Sequence, residues 1–348
     1  MKLVECVPNI SEGRDKRKIK VIVSEIENIP GVKLLDIHTS KSANRTVLTF
    51  AGGLEEIKEA AFNCIRKALE LIDMRFHKGV HPRIGAVDVC PFVPLGETTM
   101  DECIRIAREL GKRVGEELKI PVYLYEYAAN FLYRKNLENI RKGEYEGLEE
   151  KLKDPFWAPD FGPALFNPKS GAIIIGARNI LIAYNINLNT KRKEIAHEIA
   201  LSIRESGGYR RDEKGRILRN AKNEPIRIPG KLKYVKAIGW YIEEYDRAQV
   251  SVNLIDYRKT PLHVVFEEVK KEAEKFRIEV TGSEIIGLVP KEAIINAGKF
   301  YLSRNKKKIN DEKLIIQTAI RHLGLNDTIP FDPEKKIIEY CLNLSKIK

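Results

Sequence analysis

The chain is poor in the residues that build disulfide scaffolds or cysteine metal clusters. Its 348 residues include five cysteines, Cys6, Cys64, Cys90, Cys103 and Cys341, odd in number and scattered. No C-x-x-C pair occurs, so neither a disulfide framework nor a structural zinc site is expected. Several of the cysteines sit inside apolar runs and read as core thiols. No segment stays apolar for the ~20 residues a membrane span requires. The N-terminus, MKLVECVPNI, lacks the charged-then-apolar pattern of a secretion signal, so a reducing cytoplasm is expected. There is no P-loop and no G-x-G-x-x-G after a strand, which removes the two common glycine-rich nucleotide cradles. No G-x-S-x-G elbow is present, which argues against an α/β-hydrolase. His197-Glu198 lacks a second histidine four residues on, so a zincin is excluded. No metal is expected, and no run of aromatics interleaved with Lys and Arg resembles a ribonucleoprotein motif.

Charge is abundant instead. The net charge is +12, and glutamine is limited to Gln249 and Gln317. Much Lys, Glu and Ile with little Gln and Met is the composition of a heat-adapted protein, so part of the basicity is solvated surface. The remainder suits an anionic partner, either nucleic acid or a small polyanion such as a polycarboxylate. The length favours two domains.

In chain order, LVECVPNI (3–10) reads as a strand, a helix follows over 14–28, and 32–37 and 45–52 read as two strands. A strong helix spans 54–73, and IGAVDVCPFV (84–93) is the next strand. That is the strand-helix-strand-strand-helix-strand order of a ferredoxin-like unit. A helix at 99–118, strands at 121–126 and 171–177, and a helical stretch at 137–153 extend it. DPFWAPDFGPALFNPKS (154–170) is too aromatic for disorder and reads as an ordered binding loop. The same order repeats from Ile180, with strands at 180–189, 234–244, 248–257 and 278–289 and helices at 190–206 and 260–275. Between them, 209–231 is a basic hairpin or mobile excursion, and helices run from 290 to the end. The expectation is an α/β (α+β) protein of two βαββαβ subdomains, 1–178 and 179–300, with helices on one face of each sheet and a helical extension over 301–348.

The densest chemistry lies in LIDMRFHKGVHPRIGAVDVCPFVP (71–94). His77 and His81 titrate near physiological pH. Arg83 carries a forked donor set suited to a carboxylate. Pro82 pushes His81 towards an extended backbone. A polar helix-to-strand loop with surface histidines remains the alternative.

LVECVPNISEG (3–13), LLDIHTSKSANRTVLTF (34–50), HKGVHPRIGAVDVCPFVP (77–94), PVYLYE (121–126), DPFWAPDFGPALFNPKSGAIIIGAR (154–178) and IAYNINL (182–188) closely resemble glutamate formimidoyltransferase. IGWYIEEYDRAQVSVNLIDY (238–257), IIGLVPKEAI (285–294) and FDPEKKIIEY (331–340) continue the likeness to about Tyr340. The resemblance implies transfer of a formimidoyl group between tetrahydrofolate and the amino group of L-glutamate, by a dimer of two α/β subdomains with the folate between them. It makes His81, in H-P-R, the catalytic acid/base. It makes Gly162, Pro163, Ala164, Leu165, Phe166, Asn167, Pro168, Lys169, Ser170 and Gly171 the folate segment. Arg83, Arg45, Asn44, His38 and Asp36 are candidates for binding the substrate, and Asp36 or Asp88 for balancing the cationic intermediate. The folate is a co-substrate, and the basic charge suits a polyglutamate tail. Small-molecule substrates and a homodimer are expected, without nucleic acid or membrane. The chain ends too early for the cyclodeaminase fused to larger animal members, so a monofunctional form is expected. Two further departures stand out: the excursion at 209–231 is long, and His38 stands where some members carry an acid. A same-fold transferase using another amino acceptor such as glycine is the nearest alternative. A basic RNA-binding protein is the remote one, opposed by the lack of exposed aromatics among the basic residues.

Overall fold

The computed structural model describes residues 2–213, 215–304 and 311–342. The chain divides into two compact units, Met1–Ile180 and Leu181–Lys348.

In the first unit the expected opening strand is split by Pro8, which has no N–H to give a ladder. The pieces are β1 (Lys2–Cys6) and β2 (Asn9–Ile10). Helix α1 (Lys16–Glu27) starts where the Asp15 carboxylate accepts two free backbone N–H groups, and it buries Ile19, Ile22, Val23 and Ile26 as one stripe. Strands β3 (Lys33–Ser40) and β4 (Arg45–Gly52) follow, then α2 (Leu54–Leu71), β5 (Val87–Gly96) and α3 (Met100–Glu117). A Thr99–Glu102 capping box opens α3. The unit closes with β6 (Val122–Glu126), α4 (Leu137–Arg141), α5 (Leu148–Lys153) and β7 (Ile173–Ala177).

The strands lie in the order β3, β4, β1 with β2, β5, β7, β6. The first part is antiparallel, and β5, β7 and β6 are mutually parallel. A ferredoxin-like core is thus widened by two parallel strands. Helices α1, α2 and α3 pack on one face around Val4, Cys6, Leu48, Phe50 and Phe92. The other face of β5, β6 and β7 is covered by Ile140, Leu148, Leu152, Trp157 and Phe166, so helices in this unit are not confined to one face. The single helix expected over 137–153 is two short ones. Gly143 (φ 90°) and Glu144 (φ 54°) take left-handed backbone that ends the first.

The long aromatic loop is pinned by a buried ion pair. Arg134 donates to Asp160 at 2.8 Å, with both side chains about 1–2% exposed. Asp160 also accepts from the Leu124 N–H and from Asn130, while Arg134 donates to the Phe156 and Ala158 carbonyls.

The second unit contains β8 (Ile182–Leu188), α6 (Lys193–Ile203), the two-residue β9 (Gly208–Tyr209) and β10 (Arg227–Ile228), β11 (Val235–Ile242), β12 (Arg247–Leu254), α7 (Leu262–Lys275) and β13 (Val280–Ile286). Its main sheet has the order β11, β12, β8, β13, the same order as the core of the first unit. Helices α8 (Lys291–Arg304), α9 (Glu312–His322), α10 (Pro333–Lys336) and α11 (Ile338–Cys341) complete it. Of the extension expected over 301–348, residues 305–310 and 343–348 lie outside the described residues, and α8 runs across its start.

The basic excursion contains two small hairpins with an eight-residue offset. Arg211 closes one on the Gly215 carbonyl at 2.8 Å, and Arg219 closes the other on the Asn223 carbonyl at 2.6 Å. The Asp212 and Asn220 side chains cap the Arg216 and Glu224 N–H groups in matching fashion. Some of the basicity therefore shapes the excursion itself.

Removing one partner of a buried ion pair leaves the other uncompensated, at a cost of ~3–5 kcal/mol. Asp160→Ala is expected to lower stability by about that amount, read by urea denaturation followed by circular dichroism.

Candidate active site

Three sequence segments far apart in the chain meet at one edge of the first sheet. They are the turn after β2 (11–13), the turn between β3 and β4 (41–45) and the loop before β5 (77–86). The Thr46 hydroxyl donates to the Glu12 carbonyl at 2.6 Å, the Asn44 side-chain oxygen accepts from the Gly13 N–H at 3.0 Å, and the Val80 N–H donates to the Ser42 carbonyl at 3.1 Å. The approach is close enough to need glycine. A Cβ on Gly79 would stand 2.1 Å from the Ala43 carbonyl oxygen. Asn44 takes the left-handed conformation (φ 46°) that Asn tolerates better than most residues.

His77 ties these segments together. Its Nδ1 faces the Arg83 Nε at 3.1 Å and its Nε2 faces the Asn44 carbonyl at 2.8 Å. A guanidinium only donates, so Nδ1 accepts and Nε2 carries the proton given to the carbonyl. Burial and the Arg83 charge hold the imidazole below the usual histidine range, which preserves that neutral tautomer. The rest of the Arg83 fork is occupied: one nitrogen reaches Glu144 (3.1 Å) and Glu146 (2.8 Å), and the other reaches Glu146 at 2.6 Å. Arg83 is buried, and its donors are committed to the protein's own carboxylates.

His81 lies four residues on, partly buried, in a cationic setting. Desolvation comes first, then the Arg45 and Arg141 charges, and together they hold its imidazole well below the usual value. That setting favours the neutral ring. Arg141 pairs with Asp88, which also accepts from the Ile84 N–H at 3.1 Å. Arg45 is different. Burial and Arg141 pull its guanidinium down to about 10, and no carboxylate among the described residues forms an ion pair with it.

The 162–171 loop abuts the same place. Gly162 (φ 79°) and Gly171 (φ 67°) end it in backbone that favours glycine, and a Cβ at Gly171 would meet the Ile84 carbonyl oxygen at 2.2 Å. The Asn167 side chain accepts from the Lys169 and Ser170 N–H groups. The Ala86 N–H donates to the Ser170 carbonyl at 2.9 Å, and Gly85 bridges to Gly171, so the loop is fastened to the chain just after His81. Ser170 is buried and Phe166 packs with Tyr145, whereas Pro163 is partly covered and Ala164, Leu165, Pro168 and Lys169 line the exposed side.

Of the residues singled out from sequence, His81, Arg45, Asn44, Arg83 and the 162–171 loop come together. Asp36 and His38 lie on β3 opposite Thr49 and Val47, on the sheet face that carries Arg45. Arg141, Glu144 and Glu146 were missed. Their signal is R-K-G-E-Y-E-G (141–147), where two glycines four apart interrupt a helical pattern. Glu5 was also missed. It faces away from the core that takes Val4 and Cys6, and burial pushes its carboxyl up to about 7 against the pull of Arg178.

Residues 3–178 match the formiminotransferase domain, N-terminal subdomain, and residues 183–343 match the formiminotransferase domain. The chain belongs to this family. It is 50% identical over 341 residues to the formimidoyltransferase-cyclodeaminase of Dictyostelium discoideum, covering 98% of this chain and 60% of that protein. The chicken (Gallus gallus) formimidoyltransferase-cyclodeaminase matches equally, again over 60% of its length. The glutamate formimidoyltransferase of Thermoplasma acidophilum is 46% identical over 307 residues, covering 88% of this chain and 94% of that protein. The chain thus spans about 60% of the length of the bifunctional relatives. No helix among the described residues is long and apolar enough to cross a membrane.

Losing the His77 ring leaves a buried guanidinium N–H and a carbonyl unsatisfied, each costing ~1–3 kcal/mol. His77→Ala is expected to destabilise the first unit and loosen the 77–86 loop. His77→Gln, whose amide offers both a donor and an acceptor, is expected to recover part of that loss. Thermal unfolding and amide exchange across 77–86 check both.

Proposed function

We propose that this chain transfers a formimidoyl group between the amino nitrogen of L-glutamate and tetrahydrofolate, with His81 as acid and base. The observation that carries the proposal is the meeting, at the edge where the 162–171 loop docks, of the His81 loop with the turn that carries Arg45, a cation without an ion pair among the described residues. Burial and the Arg45 and Arg141 charges hold the imidazole well below its usual range. The names borne by relatives of this family support the same reaction.

In either direction the attacking nitrogen must lose a proton as it bonds to the formimidoyl carbon. The departing nitrogen must gain one as its bond to that carbon breaks. A neutral imidazole takes the first proton. The imidazolium so formed faces Arg45, Arg141 and Arg83, which makes it a willing donor for the second step. The cations that keep the resting ring neutral therefore also drive the return of the proton.

Arg45 holds a carboxylate of the amino-acid substrate in this reading, and Arg83, with its fork engaged, supports the loop. Asn44 acts through the same turn, and Asp36 and His38 border the substrate from β3. The loop Gly162 to Gly171 carries the pterin, with Phe166 and the backbone of Asn167 to Ser170 as its framework. The remaining expectations, a polyglutamylated folate, a homodimer, a cytoplasmic enzyme of a thermophile and glutamate rather than glycine as acceptor, belong to the same reading. A coupled assay offering formimidoylglutamate, formimidoylglycine and formylglutamate as donors to tetrahydrofolate tests it. Turnover confined to formimidoylglycine would replace the acceptor, and none with any donor would sink the transferase reading.

His81→Ala is expected to lose ~100- to 10,000-fold in kcat while folate affinity stays near wild type. Near-normal turnover would remove His81 from its role. The acidic limb of kcat/KM reports the free enzyme and is expected below the ordinary histidine value of ~6.5. Binding an anion at Arg45 offsets one of the nearby cations, so the limb of kcat is expected at higher pH than that of kcat/KM. A kcat limb at lower pH would contradict the assignment of Arg45.

A further inference from the structure

We propose that Asp88 and Arg141 are positioning residues for His81, with Asp88 fixing the chain just beyond the histidine and holding the Arg141 guanidinium where its charge acts on the imidazole. This rests on the reading of His81 as the acid and base.

The device begins with an irregularity in the sheet. Asn9 pairs with Val89 while its neighbour Ile10 pairs with Val87, so Asp88 is the extra residue of a β-bulge. A bulge bends the strand and re-aims the inserted side chain. Val87, Cys90 and Phe92 enter the helix-side core, whereas Val89 enters the core on the other face, so the strand changes parity at this point. The Asp88 carboxylate is 1% exposed, and a buried carboxylate requires partners. It has two. The Ile84 N–H closes a turn onto it at 3.1 Å, three residues after His81, and Arg141 at the end of α4 reaches it through two nitrogens. The Tyr145 N–H donates to the Arg83 carbonyl at 2.9 Å, so the segment carrying Arg141 is fastened to the histidine loop a second time.

The charged and titratable groups on this side of the sheet come from five elements. Its own loop brings His77 and Arg83, and β4 brings Arg45, with His38 and Asp36 two and four residues along β3 from Ser40, the residue paired with Arg45. Asp88 comes from β5, and Arg141, Glu144 and Glu146 come from α4 and the turn after it. Glu144 and Glu146 are spent on Arg83, and Asp88 is spent on Arg141 and Ile84. None of these three carboxylates acts on the imidazole as strongly as the guanidiniums do. Arg141 is thereby a fixed cation whose charge reaches the ring rather than a substrate ligand, and its tether is the bulge residue.

The test compares Arg141→Lys, which keeps the charge, with Arg141→Gln, which removes it, both in the full chain. The imidazole is followed by NMR through its ring Cε1–H, with the signal of His81 identified by its loss in His81→Asn. A cation disfavours the imidazolium, so removing it raises the midpoint. The His81 midpoint in Arg141→Gln is expected about one pH unit above wild type, and in Arg141→Lys within a few tenths. The acidic limb of kcat/KM is expected to follow by the same amount. Asp88→Asn keeps an acceptor for the Ile84 N–H and Asp88→Ala does not, so amide exchange at Ile84 is expected to rise in the second and not in the first. Midpoints unchanged in both Arg141 variants, or equal Ile84 exchange in both Asp88 variants, would overturn the proposal. The NMR midpoint and amide exchange need no turnover, so a failure here is separable from a failure of the transferase reading.

Discussion

The imidazole of His77 is held between an obligate donor and an obligate acceptor, and the edge of the first unit depends on that arrangement. Arg83 cannot accept and the Asn44 carbonyl cannot donate, so the ring has one workable tautomer and one orientation. Through it the loop before β5 is bonded to the turn before β4, which places Arg45 and His81 at the same edge. A single hydrogen bond of this kind contributes about 0.5–1.5 kcal/mol net. Its larger effect is to exclude alternatives, because any other pose strands a buried polar group.

Electrostatics then divides the three guanidiniums between tasks. Arg83 is neutralised by glutamates that reach in from exposed positions and Arg141 by the buried Asp88, whereas Arg45 forms no ion pair among the described residues and feels Asp88 only through its charge. Two of these cations are engaged by ion pairs, and the proposed reading assigns the third to the anionic substrate. A half-buried guanidinium without an ion pair is costly for a resting protein. On the proposed reading, in which the site receives a dicarboxylate, that cost becomes binding selectivity.

Much of the frame was legible because it follows simple periods. The stripe of Ile19, Ile22, Val23 and Ile26 and the apolar run at 171–177 read directly as helix and strand. His81 and the 162–171 loop were recognisable as local strings, and Arg45 as a strand-start cation. What depended on distant partners was not. The role of Arg83 turned on Glu144 and Glu146, some sixty residues away. The helix expected over 137–153 stopped at Arg141 because Gly143 and Glu144 take left-handed backbone just beyond it. The orientation of Asp88 follows from a bulge, which is a mismatch between two strands and leaves no mark in either strand alone. The excursion at 209–231 read as a basic hairpin or mobile segment, and the pairing of its arginines to nearby carbonyls is invisible in composition.

The mixed direction of the first sheet bears on where a chemist would look. In open parallel sheets, ligands gather beyond the carboxyl ends of the strands. Here His81 and the 162–171 loop precede β5 and β7 and so sit at the amino ends of the parallel strands. The carboxyl ends of β2 and β3 arrive at that same edge, because they run the other way. The antiparallel half thereby supplies the tight turns, and the parallel half supplies two strand entrances through which long loops can enter. A search guided by the parallel-sheet rule would inspect the opposite rim of the molecule.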